Sequence, residues 1–270
     1  MTDWGYQAPP WLWPLFFALT GAVAGSFINV VIHRIPLMAA QKNSFSFNLF
    51  LPRSHCPECS QTLRWHHTVP LLSWLVLRGK CAYCGDKIAG SYPLVELFFT
   101  LVALLLSCME LKVTTALFSL LFVGFLLPLA LIDLRHGLLP DMLTLPFLWA
   151  GLLYHALSAT SALADAVYGA VAGYAALWLL YWLFYFFTRR EGLGYGDFKL
   201  LAALGAWLGW AMLPAVLLLA ASLGILAALA ARLCRKRSLS GEIPFGPFLT
   251  AAGALCYFFP AVGTAPFSPF

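Results

Sequence analysis

The chain has 270 residues, 61% of them hydrophobic and 10% charged, with a mean hydropathy of +0.83. No ordinary water-soluble domain approaches that balance, so the composition excludes one and implies a polytopic membrane protein. Sixteen Lys and Arg against eleven Asp and Glu give a net charge of +5, and only the placement of that excess can decide between nucleic acid and a membrane surface as its partner.

Residues 11–33 are apolar for long enough to cross a bilayer, and no short hydrophobic core followed by an Ala-x-Ala site marks a cleavable signal. They are expected to form a retained first span. Gly21 and Gly25 stand four apart, the small-residue spacing that lets membrane helices approach closely, and the spacing recurs at Gly169/Gly173 and Gly205/Gly209.

From 34 to about 90 the chain turns polar, with Pro52, Pro57, Gly79 and Gly85 as turn signals. This is the one soluble module expected. It holds four of the seven cysteines, as Cys56-Pro57-Glu58-Cys59 and Cys81-Ala82-Tyr83-Cys84, two C-x-x-C knuckles at the spacing of a zinc ribbon. Disulfides are the competing reading, but they suit an oxidising compartment, and the topology argued below puts these thiols in a reducing one. Four thiolates leave no open coordination position, so Cys56, Cys59, Cys81 and Cys84 are expected to hold a structural Zn2+. His55, His66 and His67 are read as surface residues. Cys108, Cys234 and Cys256 lie alone in apolar surroundings and read as packing residues.

Residues 92–132 suit two spans joined by a tight turn at Glu110 and Lys112, and 138–187 divide similarly around 158–165. The run 198–231 would make a helix about 50 Å long, too long for one span and short for two. Charge parity decides for two short helices broken around 210–214, followed by a last span at about 248–265. With the 34–90 module on the cytoplasmic side, every Lys and Arg except Lys112 then falls inside. That placement gives eight spans with both termini outside and assigns the basic excess to the membrane, so no nucleic-acid partner is expected.

Two carboxylates interrupt this apolar chain: Asp133 in Leu131-Ile132-Asp133-Leu134-Arg135, and Asp197 in Gly194-Tyr195-Gly196-Asp197-Phe198-Lys199. An ionised Asp near lipid costs roughly 2.5 to 3.5 kcal/mol at a helix centre, so such residues are mostly retained for a job. A pair can hydrolyse a peptide bond when one member, ionised, takes a proton from water and the other, protonated, donates to the carbonyl oxygen. The alternatives are a helix N-cap for Asp197 and an interfacial partner of Arg135 for Asp133. Asp141, after Pro140, reads as a carboxylate favoured by a helix N-terminus.

In chain order, Gly25 to Pro36 (Gly-Ser-Phe-Ile-Asn-Val-Val-Ile-His-Arg-Ile-Pro), the paired knuckles, Tyr92-Pro93-Leu94-Val95-Glu96, Asp133 with Leu138-Leu139-Pro140-Asp141, Gly194 to Lys199 and Pro244 to Leu249 resemble the bifunctional type IV prepilin peptidases. The resemblance covers nearly the whole chain. It implies a GxGD-type aspartic protease with Asp133 and Asp197 as the catalytic pair, removing a short basic leader from prepilins of type IV pili or pseudopilins of type II secretion. It also implies N-methylation of the new terminus from S-adenosylmethionine. Gly79 and Lys80 match positions the family associates with methyl transfer, while Asn29, with Ser26 and His33 on one helical face, Arg34 and Glu96 are candidates for the cofactor cleft. Each is equally suited to an interhelical hydrogen bond or a topology anchor.

The expected architecture is therefore an all-α polytopic protein of the bacterial inner membrane with about eight transmembrane helices and active sites on the cytoplasmic side. Its divisions are 1–33 (first span), 34–90 (zinc module associated with methyl transfer) and 91–270 (membrane-embedded peptidase core). Two other readings stay open: a proton-coupled transporter with a metal-binding regulatory module, which lacks an evident inverted repeat, and a peptidase without methyltransferase activity.

Overall fold

The computed structural model describes Pro9 and residues 11–40, 47–109, 112–158, 160–189, 194–235 and 244–260. The described chain is helical throughout, with two isolated β-bridges as its only extended pairing. Nine α-helices follow in order among these residues: α1 (Leu12–Ala40), α2 (Leu72–Val76), α3 (Ser91–Cys108), α4 (Val113–His136), α5 (Asp141–Ser158), α6 (Thr160–Thr188), α7 (Tyr195–Leu208), α8 (Leu213–Arg235) and α9 (Gly246–Phe258). Five stretches, in α1, α3, α4, α6 and α8, are long and apolar enough to cross a membrane by length and composition. Length and composition alone do not supply the eight expected, because α7 has 14 residues and α9 has 13.

α3 and α4 end and begin on either side of the turn expected at Glu110 and Lys112, and the division expected around 158–165 falls at its first edge, between α5 and α6, with Asp165 inside α6. The long run after 198 breaks at Gly209, whose φ of 78° ends α7 and turns the chain through a 3-10 turn, Trp210–Met212, into α8. Lys42, Glu110, Arg190, Lys236, Arg237 and residues 261–265 of the last expected span lie outside the described residues, as do the side chains of Cys234 and Arg235.

The chain forms two compact units, 1–124 and 125–270, divided within α4. In the first, α1 and α3 pack in opposite directions along a ladder of small residues. A Cβ on Gly21 would lie 2.6 Å from the Phe99 carbonyl oxygen, and one on Gly25 would lie 2.7 Å from Glu96 Cα. One turn on, Asn29 Nδ2 donates to the Tyr92 carbonyl at 3.0 Å. The glycines thus admit backbone to backbone, and dispersion over that close seam replaces the hydrophobic drive that lipid does not supply.

In the second unit α7 is the central element, with every residue from Leu200 to Trp207 buried. α5, α6 and α9 each meet it at a glycine. Gly169 of α6 lies against the backbone of Gly205, Gly173 against the Leu201 carbonyl, Gly151 of α5 under the Trp207 ring, and Gly253 of α9 against Leu204. Trp207 completes the seam by donating its indole N–H to the Phe147 carbonyl at 2.9 Å and stacking on Phe147.

Candidate active site and metal centre

Asp133 stands in the last turn of α4 and Asp197 in the first turn of α7, and both are buried, at 5% and 8% exposure. The ends of these helices are fixed locally. Gly137, with φ 62°, closes α4 by donating its N–H to the Asp133 carbonyl at 2.8 Å. Gly194 is the extended N-cap of α7, without a side-chain cap, and the Asp197 carboxylate reaches back to the Gly194 backbone as a third-position acid does in a capping box. The cap reading of Asp197 therefore fails in its simple form, since the cap position belongs to Gly194.

Packing draws the two acids toward one another through Leu139, which lies against both Gly196, next to Asp197, and Gly246, next to the Asp133 carboxylate. Two glycines make that approach possible. A Cβ on Gly246 would fall 2.5 Å from Asp133 Oδ2 and 3.3 Å from Leu139 Cδ1, and one on Gly196 would fall 2.7 Å from Leu139 Cβ. Leu139, from the loop after α4, is thus wedged between the glycine that precedes Asp197 and the glycine that opens α9. From there Gly246 donates its backbone N–H to Asp133 Oδ2 at 3.0 Å. Arg135, the partner considered for Asp133, forms no ion pair among the described residues.

Asp141 opens α5, as expected of a carboxylate at a helix N-terminus, and also pairs with Lys199 at 2.6 Å. This ties the start of α5 to α7 one half-turn beyond Asp197. Sequence reasoning missed the pair and the Gly246 contact. The first had a signal, two opposite charges that each follow a carboxylate set in apolar chain, Asp141 eight residues after Asp133 and Lys199 two after Asp197; the second had none in residue chemistry, because the donor is main chain.

The cysteines of the module come together as expected. The four Sγ atoms of Cys56, Cys59, Cys81 and Cys84 lie within 4.8 Å of one another, with Cys56 and Cys84 3.8 Å apart. Four sulfurs about 2.3 Å from a tetrahedral ion would be about 3.8 Å apart, so the set fits a metal ion. The two knuckles are built alike. In each, the first cysteine's N–H donates to the carbonyl five residues on, Gln61 or Asp86, and its own carbonyl accepts from the residue four on, Ser60 or Gly85. Ser60 and Gly85 both hold positive φ, 55° and 76°, so the same turn is formed with and without a Cβ. Backbone N–H groups of Cys84 and Tyr83 push the Cys81 thiol down to about 6. Asp86 pulls Cys84 the same way, but desolvation and the neighbouring thiols outweigh it and push Cys84 up to about 12. His67 packs on Tyr83 at 5.5 Å rather than joining the cluster.

Of the remaining candidates, three make buried or half-buried structural bonds. Asn29 holds Tyr92, Arg34 donates to the carbonyls of Asn48 and Pro52 at 2.9 and 2.6 Å, and Glu96 Oε2 accepts the Leu71 N–H at 2.8 Å. Lys80 is exposed and bridges to Lys87 through its backbone. Gly79, with φ 68°, would carry a Cβ 3.0 Å from the Trp74 ring and 3.3 Å from its Nε1. Trp74 Nε1 and His67 Nδ1 are buried polar atoms without a hydrogen-bond partner among the described residues.

Two family models match the chain: the bacterial peptidase A24 N-terminal domain over residues 19–110, and the type IV leader peptidase family over 120–229. A prepilin leader peptidase/N-methyltransferase of Aeromonas hydrophila is 46% identical over 260 residues, covering 90% of each chain. The proteins of that name from Dickeya chrysanthemi and Burkholderia pseudomallei are 44% and 42% identical, covering 91% and 94% of this chain and 92% and 88% of their own. No solved structure matches.

Proposed function

This chain belongs to the type IV leader peptidase family, as a multi-pass membrane enzyme with both peptidase and N-methyltransferase activity, and from that premise we propose that Asp133 and Asp197 are its hydrolytic pair. The observation that carries the reading is the burial of two acids at helix ends brought together through Leu139 and Gly246, with a main-chain N–H aimed at one of them. Two such acids do not ionise together, so the pair carries one proton. The ionised member takes a proton from water as its oxygen attacks the scissile carbonyl carbon, and the protonated member donates to the carbonyl oxygen. Collapse breaks the C–N bond, with the leaving nitrogen taking up the proton. Gly194, where a Cβ would meet only Asp197 Oδ2 at 3.5 Å, leaves room for a bound peptide backbone, while Gly196 admits Leu139. The substrate is a prepilin or pseudopilin, whose scissile bond meets the pair at the cytoplasmic edge. A proton-relay transporter is not favoured by any of the relatives.

For the second reaction, S-adenosylmethionine supplies an electrophilic methyl group, and the chain must bind it, admit the new amine and take that amine's proton. The neighbourhood of Gly79 and Lys80 suits this: Trp74 Nε1, buried without a partner among the described residues, lies beside Gly79, and the exposed Lys80 is adjacent. Asn29, Arg34 and Glu96 hold the segments that lead to and from this region, through Tyr92, Asn48 and Pro52, and Leu71. The four-cysteine cluster holds Zn2+, which keeps the module folded rather than taking part in either reaction.

The test is the N-terminal mass of a co-expressed prepilin, which reports both reactions. Asp133→Asn and Asp197→Asn will each lower cleavage by at least about 100-fold, the scale of a lost acid or base, with the enzyme still inserted; cleavage retained by either variant removes the mechanism. Lys80→Ala will leave cleavage intact and yield a product lighter by one methyl group. Equal loss of both activities would instead make Lys80 a folding residue.

A further inference from the structure

The ladder between α1 and α3 gives a depth scale for the chain that links them. Glu96 lies opposite Gly25 and Tyr92 opposite Asn29. Glu96 Oε2 takes the N–H of Leu71, so the start of α2 is held at the level of Gly25, and Leu71 adopts a φ of 60° to make that bond. A second segment is held at a similar depth. Arg34 binds the carbonyls at both ends of the turn 48–52, Asn48 Oδ1 accepts the N–H groups of Phe50 and Leu51, and the Phe50 ring stacks on Phe27 at 6.4 Å.

Gly25 and Phe27 precede Arg34 by nine and seven residues, about 10 to 14 Å along the helix. A hydrocarbon core about 30 Å thick takes some 20 residues of α1, so with Trp13 at one boundary and His33 or Arg34 at the other, both segments lie below the headgroups. The side chains they present there are apolar and uncovered. Phe50 is 78% exposed, Trp65 81%, Leu75 63% and Val76 80%, and α2 has no buried residue. Within 47–90 the charges are Arg53, Arg64, Arg78, Lys80 and Lys87 against Glu58 and Asp86, an excess suited to anionic headgroups.

We propose that the linking module is itself seated in the lipid leaflet beside α1 and α3, with the Phe50–Leu51 turn and the Leu72, Leu75 and Val76 face of α2 among the acyl chains, Trp65 at the interface and the basic residues on anionic headgroups. The module is then a monotopic anchor joined to two spans, rather than a water-suspended domain.

The experiment uses the full chain in phosphatidylglycerol/phosphatidylethanolamine vesicles, with a benzophenone amino acid placed in turn at Phe50, Leu75, Val76, Leu101 and Glu58. Leu101, exposed on α3, reports a lipid-facing position, and Glu58 an exposed polar one. Metal content of each variant reports that the knuckles are folded. After irradiation, lipid adducts at Phe50, Leu75 and Val76 will match Leu101 within about twofold and exceed Glu58 by about fivefold or more, as expected for side chains in the acyl region. Adducts no more frequent than at Glu58, or formed with a co-reconstituted prepilin in place of lipid, would overturn the proposal. A single position that loses metal is replaced by a probe at Leu72, and the same criteria apply.

Discussion

The Gly246 amide is the contact on which the geometry of the two acids turns. It donates to Asp133 Oδ2, and no side chain can be added at that position without meeting the same oxygen. Gly246→Ala will therefore displace the Asp133 carboxylate and lower prepilin cleavage by about 10-fold or more, while N-methylation of a pre-cleaved substrate and metal content stay unchanged; misplacement by about 1 Å costs up to 100-fold in such sites. Cleavage at the parent rate would show the contact to be incidental. The two acids themselves were legible in the sequence as charges in an apolar chain. Gly246 was legible only as part of a motif, since a backbone donor leaves no trace in residue type. Asn29, Arg34 and Glu96 were legible as polar residues needing partners, and their partners are main-chain carbonyls or N–H groups that no sequence pattern announces.

Among elements, the paired knuckles carry the clearest sequence signal, because a C-x-x-C turn fixes both ligand spacing and hydrogen-bond pattern. The module between them has few buried apolar residues, and in the stretch 47–90 only Cys56 and Cys81 are buried hydrophobics. Its folding must therefore draw on the ion, a contribution of about 10 kcal/mol in small zinc domains. Cys56→Ser or a strong chelator will lower bound zinc from about one per chain to near zero and open 47–90 to proteolysis, with α5 to α9 still protected. Protection of the metal-free module would show that the lipid contact or the α1–α3 seam suffices. The helix seams were legible as Gly-x-x-x-Gly spacing: the backbones of Gly205 and Gly209 both lie against Gly169, and Gly209 also makes the turn that ends α7.

Across the whole molecule, the position of the acids constrains how often the chain crosses the bilayer. Asp133 ends α4 and Asp197 begins α7, and the proposed pairing of the two requires that the chain between them return to the side it left. α6 is long enough to cross, and α5 must then cross as well, although its 18 residues do not stand out by hydropathy. A phosphatase reporter active only outside the cytoplasm will be active when fused after Met109 and inactive when fused after Arg189. Activity after Arg189 would mean that α5 does not cross and that the acids cannot share a site. The sequence expectation of the same parity rests on the placement of its basic residues, which helix length and hydropathy do not weigh.

At 14 residues, α7 is about 21 Å long, against a hydrocarbon thickness of about 30 Å. A rod that short falls about 9 Å below that thickness, so on the proposed role of Asp197 its water arrives through a well of locally thinned bilayer. The depth of that well follows the length of the surrounding lipid tails. Growth conditions that lengthen or shorten those tails will thus set how readily the enzyme is wetted, with no change in its amino acids.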